Sequence, residues 1–396
     1  MAGSLSGIRV LELGRFLAGS YTGMLLADLG ADVIRVEPST GADDRGLGLL
    51  SPSGDCYAFV NSNRNKKGIS LNFTKSAKAR KILNDLIKKS DIVTENFSLN
   101  AAEKMGITYE VFSNIKPDII FAEITAFGPD GPYGHRLGFD QVGKAMSGAM
   151  SISGFPGSPP IREQTAWVDI STAILTAAGI LSALYHRQMT GQGQKIDTAL
   201  LRTAVSYMGV YISEWETGKK LREQLGNRAY WSGPVDVFKS KDGRWVFIGV
   251  YTNSIWQRFC KFIGREDLAN DLRFDSEMAR WKHRDILDPV VSKWASSLTA
   301  EELVLAGEKI PVPIAICYQL TEVANDPQVK HQEMLKWVPS PGGDILVSGT
   351  PLQMSGTPLE IKRSFPAIGE HNEEIYCDLL GYSTQTLIKL KKEGVI

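Results

Sequence analysis

The chain has few cysteines and no excess of either charge, and both shortages exclude classes of function. Its 396 residues include four cysteines, which lie far apart in the sequence and never in C-x-x-C spacing. This usage is typical of reduced thiols rather than of a disulfide scaffold or a structural zinc site. Lysine plus arginine equals aspartate plus glutamate, at 44 each. The chain therefore lacks the broad basic field that binds nucleic acid, and we expect no nucleic-acid partner.

Signals for export and membrane insertion are also missing. The opening residues, MAGSLSGIRV, contain neither the basic segment nor the apolar core of a signal peptide. No apolar run approaches the roughly 18 residues that a membrane helix requires. These absences predict a cytoplasmic protein with no membrane partner.

Three common catalytic or cofactor motifs are absent as well. Gly14 and Gly19 are five residues apart, so they do not form the G-x-G-x-x-G turn of a dinucleotide site. Ser147 follows Ala145 at the position where the G-x-S-x-G elbow of a hydrolase has glycine. The five histidines show no H-x-x-x-H spacing, and we expect no metal site.

Short β-branched segments alternate with helical patterns over the first 200 residues. This alternation predicts parallel strands with helices on both faces of the sheet, which is a doubly wound, Rossmann-like α/β fold. The predicted strands are 8–13, 31–37, 67–72, 91–96 and 117–124, and the clearest helices cover 18–29 and 75–91.

The pattern changes after residue 200. The segment VDVFKSKDGRWVFIGV predicts a hairpin that turns at Lys-Asp-Gly, and helical patterns follow it. We therefore expect a large α/β domain over residues 1–200, a linker helix over 201–224 and a smaller α+β domain over 225–325. Residues 326–396 are expected to return to the large domain.

Asp169 is the candidate for chemistry. It precedes a segment with helical spacing of apolar residues, which places it at or next to the N-terminus of a long buried helix. There Asp169 is either a plain helix cap or a carboxylate nucleophile that the positive helix end keeps ionised, with a pKa near 4. Spacing alone leaves both open. The predicted apolar stripe consists of Ile170, Ala173, Ile174, Ala177, Leu181 and Leu184.

Several segments together resemble one enzyme family. They include the opening GIRVLELGRFLAGSYTGMLLADLGADVIRVEP, then NRNKKGISLNF, ENF, and FGPDGPY followed by GFDQVGKAMSGAM. The segment WVDISTAILTAAGILSALYHRQMTGQGQKIDTAL contains Asp169 near its start. These segments are similar to class III CoA-transferases, the family of formyl-CoA:oxalate and carnitine CoA-transferases, and Asp169 matches that family's catalytic aspartate.

The resemblance implies a fold, a partner and a reaction. The fold is a Rossmann-like large domain with a smaller domain, in two subunits that interlock as a homodimer. The reaction moves coenzyme A from an acyl-CoA to a free carboxylic acid, through an aspartyl anhydride and an aspartyl-CoA thioester. Coenzyme A is then a substrate, and no further cofactor is expected.

The family's coenzyme A contacts match loops that follow predicted strands. Arg45, Arg64, Lys66 and Lys67 are either further ligands of the nucleotide phosphates or a solvated run of charge. Lys104 and Arg136 are the two basic positions that the resemblance offers for the phosphates of coenzyme A. The full set of matching positions is Leu17, Ala18, Leu71, Asn72, Phe73, Thr74, Asn96, Phe97, Ser98, Lys104 and Arg136.

Two departures from the family pattern bear on the substrate and the reaction. The oxalate enzyme has a glycine run as an active-site lid, and VYTNSIW contains no such run. The related 2-methylacyl-CoA racemases use a histidine where this chain has Phe139, which cannot carry a proton. A CoA-transferase is therefore the favoured interpretation, with a racemase or isomerase, or a non-catalytic CoA-binding homologue, as the alternatives.

Overall fold

The computed structural model describes residues 3–396, which form two compact units. The larger unit contains the chain up to Ala149 together with Glu163–Ser213 and Gln328–Ile396. The smaller unit contains Met150–Arg162 and Glu214–Pro327. The chain therefore leaves the larger unit twice and returns to it twice.

The larger unit is built on a six-stranded sheet in which every neighbouring pair is parallel. The predicted α/β class with a parallel sheet is confirmed. The order β3-β2-β1-β4-β5-β6 reverses between β1 and β4. The strands are β1 (Arg9–Glu12), β2 (Asp32–Glu37), β3 (Lys67–Ser70), β4 (Ile92–Glu95), β5 (Ile120–Thr125) and β6 (Lys195–Ala199), the last of which the sequence analysis did not predict.

Helices cover both faces of this sheet. Where the sequence predicts one linker helix over residues 201–224, the structure has two helices, which span Leu200–Tyr207 and Gly209–Glu216. A π-helix spans Glu374–Leu379. The α-helices are α1 (Phe16–Asp28), α2 (Tyr57–Ser62), α3 (Ala77–Lys88), α4 (Leu99–Met105), α5 (Tyr109–Ile115), α6 (Asp140–Met146), α7 (Ala149–Ile152), α8 (Trp167–Thr190), α9 (Leu200–Tyr207), α10 (Gly209–Glu216), α11 (Asn253–Phe262), α12 (Glu266–Ala269), α13 (Glu277–Lys282), α14 (Arg284–Ala295), α15 (Ala300–Lys309), α16 (Leu320–Val323), α17 (Pro327–His331) and α18 (Thr384–Lys392).

The core of the larger unit lies in two layers, one on each face of the sheet. On one face, α3 buries Ile82, Leu83, Leu86 and Ile87 against the strands, as its helical spacing predicts. On the other face, α1 and α8 pack together over the sheet. The side chains that α8 buries are mostly small, and they allow this close approach: Val168, Thr172, Ala173, Thr176, Ala177, Ile180 and Ala183.

The predicted apolar stripe on α8 is wrong in part, because Ile174 and Leu181 are exposed rather than buried. Large apolar residues therefore face outward from this chain along the helix. The expectation that no segment reaches membrane length also needs correction, since an 18-residue window of α8 has a mean hydropathy of 1.6. By length and composition the helix is able to cross a membrane, but a core helix of a water-soluble protein meets the same criteria.

The smaller unit has an antiparallel sheet of three strands, β7 (Val235–Lys239), β8 (Trp245–Gly249) and β9 (Ile314–Ile316). The hairpin predicted at Lys-Asp-Gly is confirmed as β7 and β8. Helices α11, α14 and α15 bury their apolar faces in the core of this unit. The C-terminal segment contains an antiparallel hairpin of β10 (Leu335–Val338) and β11 (Ile345–Ser348).

Candidate active site

A cavity of about 290 Å³ lies at the carboxyl ends of β1, β4 and β5 in the larger unit. The strand order reverses between β1 and β4, and this is the position where open parallel sheets bind ligands. The cavity is lined by Arg15, Phe16, Ala18, Asn96, Phe97, Ser98, Ala101, Ile124, Thr125, Ala126, Gly134, Arg136, Leu137, Gly138, Phe139, Asp169 and Leu200.

Half of the residues expected from the sequence meet in this cavity. Asp169 lines it, and so do Ala18, Asn96, Phe97, Ser98 and Arg136. The remaining expected coenzyme A contacts do not: Leu17, Leu71, Asn72, Phe73, Thr74 and Lys104.

Those remaining residues occupy several environments. Leu71 is buried in the core, and Phe73 packs partly buried against it. The Asn72 amide donates to the carbonyl of Gly394 at 2.8 Å. Thr74 and Lys104 are exposed on the surface. Their assignment to coenzyme A stays a prediction.

Asp169 is the third residue of α8, and it is not the helix cap. Ala166 holds the cap position. The backbone N–H groups of Val168 and Asp169 donate to Asp140 Oδ1 at 2.9 and 3.1 Å. The cap interpretation of Asp169 is therefore wrong, because a different carboxylate satisfies the free N–H groups of the first turn.

Asp140 is a residue that the sequence analysis did not identify. It begins α6, is 4% exposed, and forms an ion pair of 2.9 Å with the buried ammonium group of Lys144. Lys144 also donates to the carbonyls of Glu163 and Thr165, which precede α8. The i,i+4 spacing of Asp140 and Lys144 in a helical segment was the available signal, but nothing in it indicated a contact with α8.

Burial and, after it, the nearby negative charge of Asp140 raise the pKa of Asp169 to about 7, while the positive charge of Lys144 opposes the shift. The pKa near 4 expected from the sequence is therefore wrong. The environment disfavours the ionised carboxylate, so Asp169 is a stronger base than a solvated aspartate.

The loop after β1 is tied to the loop after β4 through one side chain. Asn96 Oδ1 accepts the backbone N–H of Arg15, and Asn96 Nδ2 donates to the Arg15 carbonyl, both at 2.7 Å. A Cβ on Gly14 or Gly19 would meet the Asn96 side chain at 3.3 or 3.0 Å, so glycine permits this approach. The Asn96 amide is thus occupied by the protein itself.

Aromatic rings form one wall of the cavity. Phe139, in the place of the racemase histidine, is 60% exposed and packs edge-to-face with Phe16 at a centroid distance of 5.7 Å. Phe97 adds a third ring to the lining. These rings provide an apolar surface beside the carboxylate of Asp169.

The four basic residues that the sequence offers as further phosphate ligands are all engaged in ion pairs. Three of these side chains are buried in ion pairs: Arg45 with Glu37 at 2.6 Å, Arg64 with Asp28 at 2.7 Å, and Lys66 with Glu12 at 2.8 Å. Lys67 is partly exposed and pairs with Asp32 and Glu374. Within residues 3–396, no group of three or more His, Cys, Asp or Glu side chains is arranged to hold a metal ion.

Comparison with known proteins agrees with this architecture. The model of the CoA-transferase family III matches residues 5–372. A succinyl-CoA–D-citramalate CoA-transferase of Chloroflexus aurantiacus is 34% identical, over 99% of this chain and 98% of that protein. A formyl-CoA:oxalate CoA-transferase of Streptomyces coelicolor is 33% identical over the full length of both.

A solved structure shares the fold. A CaiB/BaiF family protein of Brucella suis superposes with a TM-score of 0.85 at 30% identity, covering 96% of this chain and all of that one. Family model, relatives and structure thus agree over nearly the whole chain. The chain belongs to CoA-transferase family III.

Proposed function

We propose that this protein transfers coenzyme A from an acyl-CoA thioester to a free carboxylic acid, with Asp169 as the nucleophile. One observation supports this most directly: Asp169 is the single carboxylate among the residues that line the cavity. The lining contains no histidine or cysteine that would serve as an alternative nucleophile or base.

In the first half-reaction, an oxygen of the Asp169 carboxylate attacks the thioester carbonyl of the donor. The C–S bond breaks, and an aspartyl–acyl anhydride and a CoA thiolate result. The thiolate then attacks the aspartyl carbonyl of the anhydride, and the donor acid leaves as its carboxylate. Asp169 now holds coenzyme A as a thioester.

In the second half-reaction, the acceptor carboxylate attacks the aspartyl thioester, which again gives an anhydride and a CoA thiolate. The thiolate attacks the acyl carbonyl that comes from the acceptor, and the Asp169 carboxylate is regenerated. Each step exchanges one activated acyl group for another without net oxidation or proton transfer. The apolar rings of Phe16, Phe97 and Phe139 help to exclude water, which would hydrolyse the anhydride and the thioester.

The structure supports a proposal for the chemical class of the two substrates, an acyl-CoA and a carboxylic acid, rather than for individual compounds. The relatives' names specify succinyl-CoA with D-citramalate, and formyl-CoA with oxalate. For this chain we propose an acyl-CoA donor and a carboxylic acid acceptor. The proposed chemistry uses coenzyme A as a substrate and needs no other cofactor.

We also propose an interlocked homodimer in the cytoplasm. The outward face of α8 exposes large apolar side chains, among them Ile174, Leu175, Tyr185 and Met189. Exposed apolar surface of this extent is typical of a protein interface. A second copy of the chain is the proposed partner for this face.

A racemase would need a second proton carrier on the opposite face of the substrate. Phe139 is apolar, and the cavity lining contains no carboxylate besides Asp169 and no histidine, cysteine, lysine or tyrosine. The racemase alternative predicts deuterium exchange at the α-carbon of a 2-methylacyl-CoA, and we expect none above background.

The test of the proposed function is direct detection of the intermediate. Wild-type protein is incubated with a panel of acyl-CoA donors without acceptor, and the peptide containing Asp169 is examined by mass spectrometry. We expect an increase equal to coenzyme A minus water, which hydroxylamine removes. Asp169→Asn should give no adduct and lose at least about 1000-fold in transfer rate, since it removes the nucleophile. A fully active Asp169→Asn protein would contradict the proposal.

A further inference from the structure

Three carboxylates lie side by side at the carboxyl end of the parallel sheet. Glu95 is the last residue of β4 and is in register with Glu123 of β5, which is in register with Asp197 of β6. Register partners on neighbouring parallel strands lie about 4.8 Å apart and point their side chains to the same face of the sheet. The three side chains therefore form one row across three strands.

Two cations accompany this row, and both belong to its β6 end. Lys195 Nζ pairs with Glu123 Oε2 at 2.9 Å. Arg202 pairs with Asp197 at 3.4 Å. Among the described residues no basic side chain forms an ion pair with Glu95, which is fully buried. Three carboxylates share two cations, and the shortage falls on Glu95.

Glu95 nevertheless holds part of the cavity wall. Its Oε2 accepts the backbone N–H of Phe97 at 2.7 Å, and its Oε1 is buried without a hydrogen-bond partner within residues 3–396. Phe97 lines the cavity, and the Arg15 guanidinium lies over its ring. The side chain of Asn96 ties the same loop to the backbone of Arg15. The position of Phe97 thus depends on a carboxyl group behind the cavity wall.

An ionised Glu95 would be costly at this place, because burial and a neighbouring like charge both disfavour the charged form of a carboxyl group. Burial raises the pKa of Glu95 to about 8. The hydrogen bond from the Phe97 N–H opposes this shift in pKa, and so does Lys195, whereas the charge of Glu123 adds to it. The fold therefore favours the protonated side chain at pH 7.

Two more charged groups lie next to the row, on the side away from Glu95. Glu110 of α5 interacts with Lys195, and Asp130 interacts with Asp197. Both are carboxylates, so neither supplies Glu95 with a counter-charge. The surroundings of Glu95 thus offer it neighbours of the same charge and one shared lysine.

We propose that Glu95 is a positioning residue for coenzyme A transfer and that it acts as a neutral carboxylic acid. This inference rests on the proposed function. The neutral acid accepts the Phe97 N–H through Oε2 and directs its own proton toward Glu123, the neighbouring acceptor in the row. In this form it fixes the loop that presents Phe97 and Ser98 to the acyl-CoA, and it adds no unpaired charge to the core.

Substitutions separate a neutral acid from an ionised one. Glu95→Gln retains an oxygen that accepts the Phe97 N–H and has an N–H donor in place of the acid proton. The kcat and the KM for the acyl-CoA should therefore stay within about threefold of the wild-type values. An ionised carboxylate would instead be poorly replaced by a neutral amide, because hydrogen bonds to charged groups are stronger.

Glu95→Ala removes both groups and leaves the Phe97 N–H without its buried acceptor. We expect the KM for the acyl-CoA to rise about 10-fold, the scale of one lost buried hydrogen bond. The kcat, counted per molecule that forms the Asp169 adduct, should change by no more than about threefold, since Glu95 does not line the cavity. Counting active molecules in this way removes the effect of any misfolded fraction.

Infrared spectroscopy measures the proton without turnover. The Asp169→Asn protein lacks the carboxyl whose pKa of about 7 would overlap with that of Glu95. At pH 7 its spectrum should contain the band of a protonated carboxyl group that Asp169→Asn/Glu95→Gln lacks, and this band should disappear as the pH rises through about 8. Adding Glu123→Gln to the Asp169→Asn protein removes the neighbouring charge, so the band should disappear at lower pH.

Three results would overturn the inference and leave the proposed function intact. The first is the same infrared spectrum at pH 7 with and without Glu95→Gln, which would show that Glu95 is ionised. The second is a loss in Glu95→Gln as large as that in Glu95→Ala, and the third is an unchanged KM in Glu95→Ala. A wild-type protein that forms no adduct at Asp169 with any acyl-CoA donor would contradict the proposed function itself, and the positioning role with it.

Discussion

The side chain of Asn96 pairs with both backbone groups of Arg15, 81 residues earlier in the chain, through two hydrogen bonds of 2.7 Å. This contact joins the loops after β1 and β4 at the point where the strand order reverses. As a result, the loops that follow β1 and β4 form one continuous wall of the cavity. The Asn96 amide therefore helps to fix the position of that wall, together with the bond from the Phe16 N–H to Asp44.

Replacing Asn96 should loosen this wall. Asn96→Ala removes both hydrogen bonds, and we expect a loss of about 1–3 kcal/mol in the free energy of unfolding. The KM for the substrates should rise, because the loop after β1, which lines the cavity, is no longer fixed to the loop after β4. Asn61→Ala is the matched control, since Asn61 also bonds two backbone groups, at Tyr57 and Ser348, outside the cavity. It should lower the midpoint of urea unfolding without changing KM, and an unchanged KM in Asn96→Ala would contradict this role.

The rate of transfer should depend on pH through Asp169. The nucleophile must be ionised, and its pKa is about 7, so kcat/KM for the acyl-CoA should rise with pH and reach a plateau above about pH 8. Asp140→Asn retains an oxygen that accepts the N–H groups of α8 but removes the negative charge that raises this pKa. Its rate profile should move to lower pH. A profile that is flat between pH 5 and 8 in wild type would contradict the assignment.

The same shift predicts how stability changes with pH. The pKa of Asp169 is about 7 in the folded state and near 3.8 when unfolded. Below pH 4 both states are protonated, so this carboxyl has no effect on the free energy of unfolding. Between about pH 4 and 7 the unfolded chain releases its proton and the folded one retains it, so stability falls as the pH rises, by at most about 1.4 kcal/mol per pH unit.

The Asp169→Asn variant lacks the titrating carboxyl group, so it tests whether that group lowers the free energy of unfolding as the pH rises. The variant should melt at the same temperature as wild type near pH 4 and a few degrees above it at pH 8, because effects of other groups are common to both proteins. Thermal denaturation at a series of pH values measures the difference. A variant that is less stable than wild type at pH 8 would show that the ionised carboxylate is stabilised in the fold.

The buried charge cluster should be costly to break. Arg35→Met leaves Glu12 and Asp44 buried with one cation fewer, and we expect a loss of about 3–5 kcal/mol in the free energy of unfolding. Urea denaturation measures it. Lys81→Met removes one partner of an exposed ion pair with Asp85 and should leave the midpoint unchanged within error. Equal effects of the two substitutions would contradict the importance of burial.

The exposed face of α8 predicts association. If a second copy covers this face, sedimentation velocity should show a dimer that does not dissociate on dilution to nanomolar concentration, since interlocked chains separate only by partial unfolding. Tyr185→Glu, which places a charge at a residue that is 68% exposed in the single chain, should lower dimer stability or the yield of folded protein. A folded wild-type monomer at nanomolar concentration would contradict the interlocked dimer.

The sequence by itself determined much of the architecture. Local patterns of apolar residues and turn residues predict five strands of the parallel sheet, the long helix at Asp169 and the β7–β8 hairpin. Local patterns suffice there because burial on both faces of a parallel strand, or on one face of a helix, requires apolar residues at fixed intervals. The family resemblance located Asp169 itself.

Tertiary structure alone decided the chemistry around that residue. The cap on α8 comes from Asp140, 29 residues earlier, and burial together with that charge raises the pKa of Asp169. For the run from Arg64 to Lys67 the sequence leaves phosphate binding and solvated charge as alternatives, yet in the structure these side chains pair with Asp28, Glu12 and Asp32. Desolvation and ion pairing depend on which distant segments meet in space, and no local spacing encodes that meeting. The sheet and the position of Asp169 were therefore readable from the chain, whereas the electrostatics of the site depended on the fold.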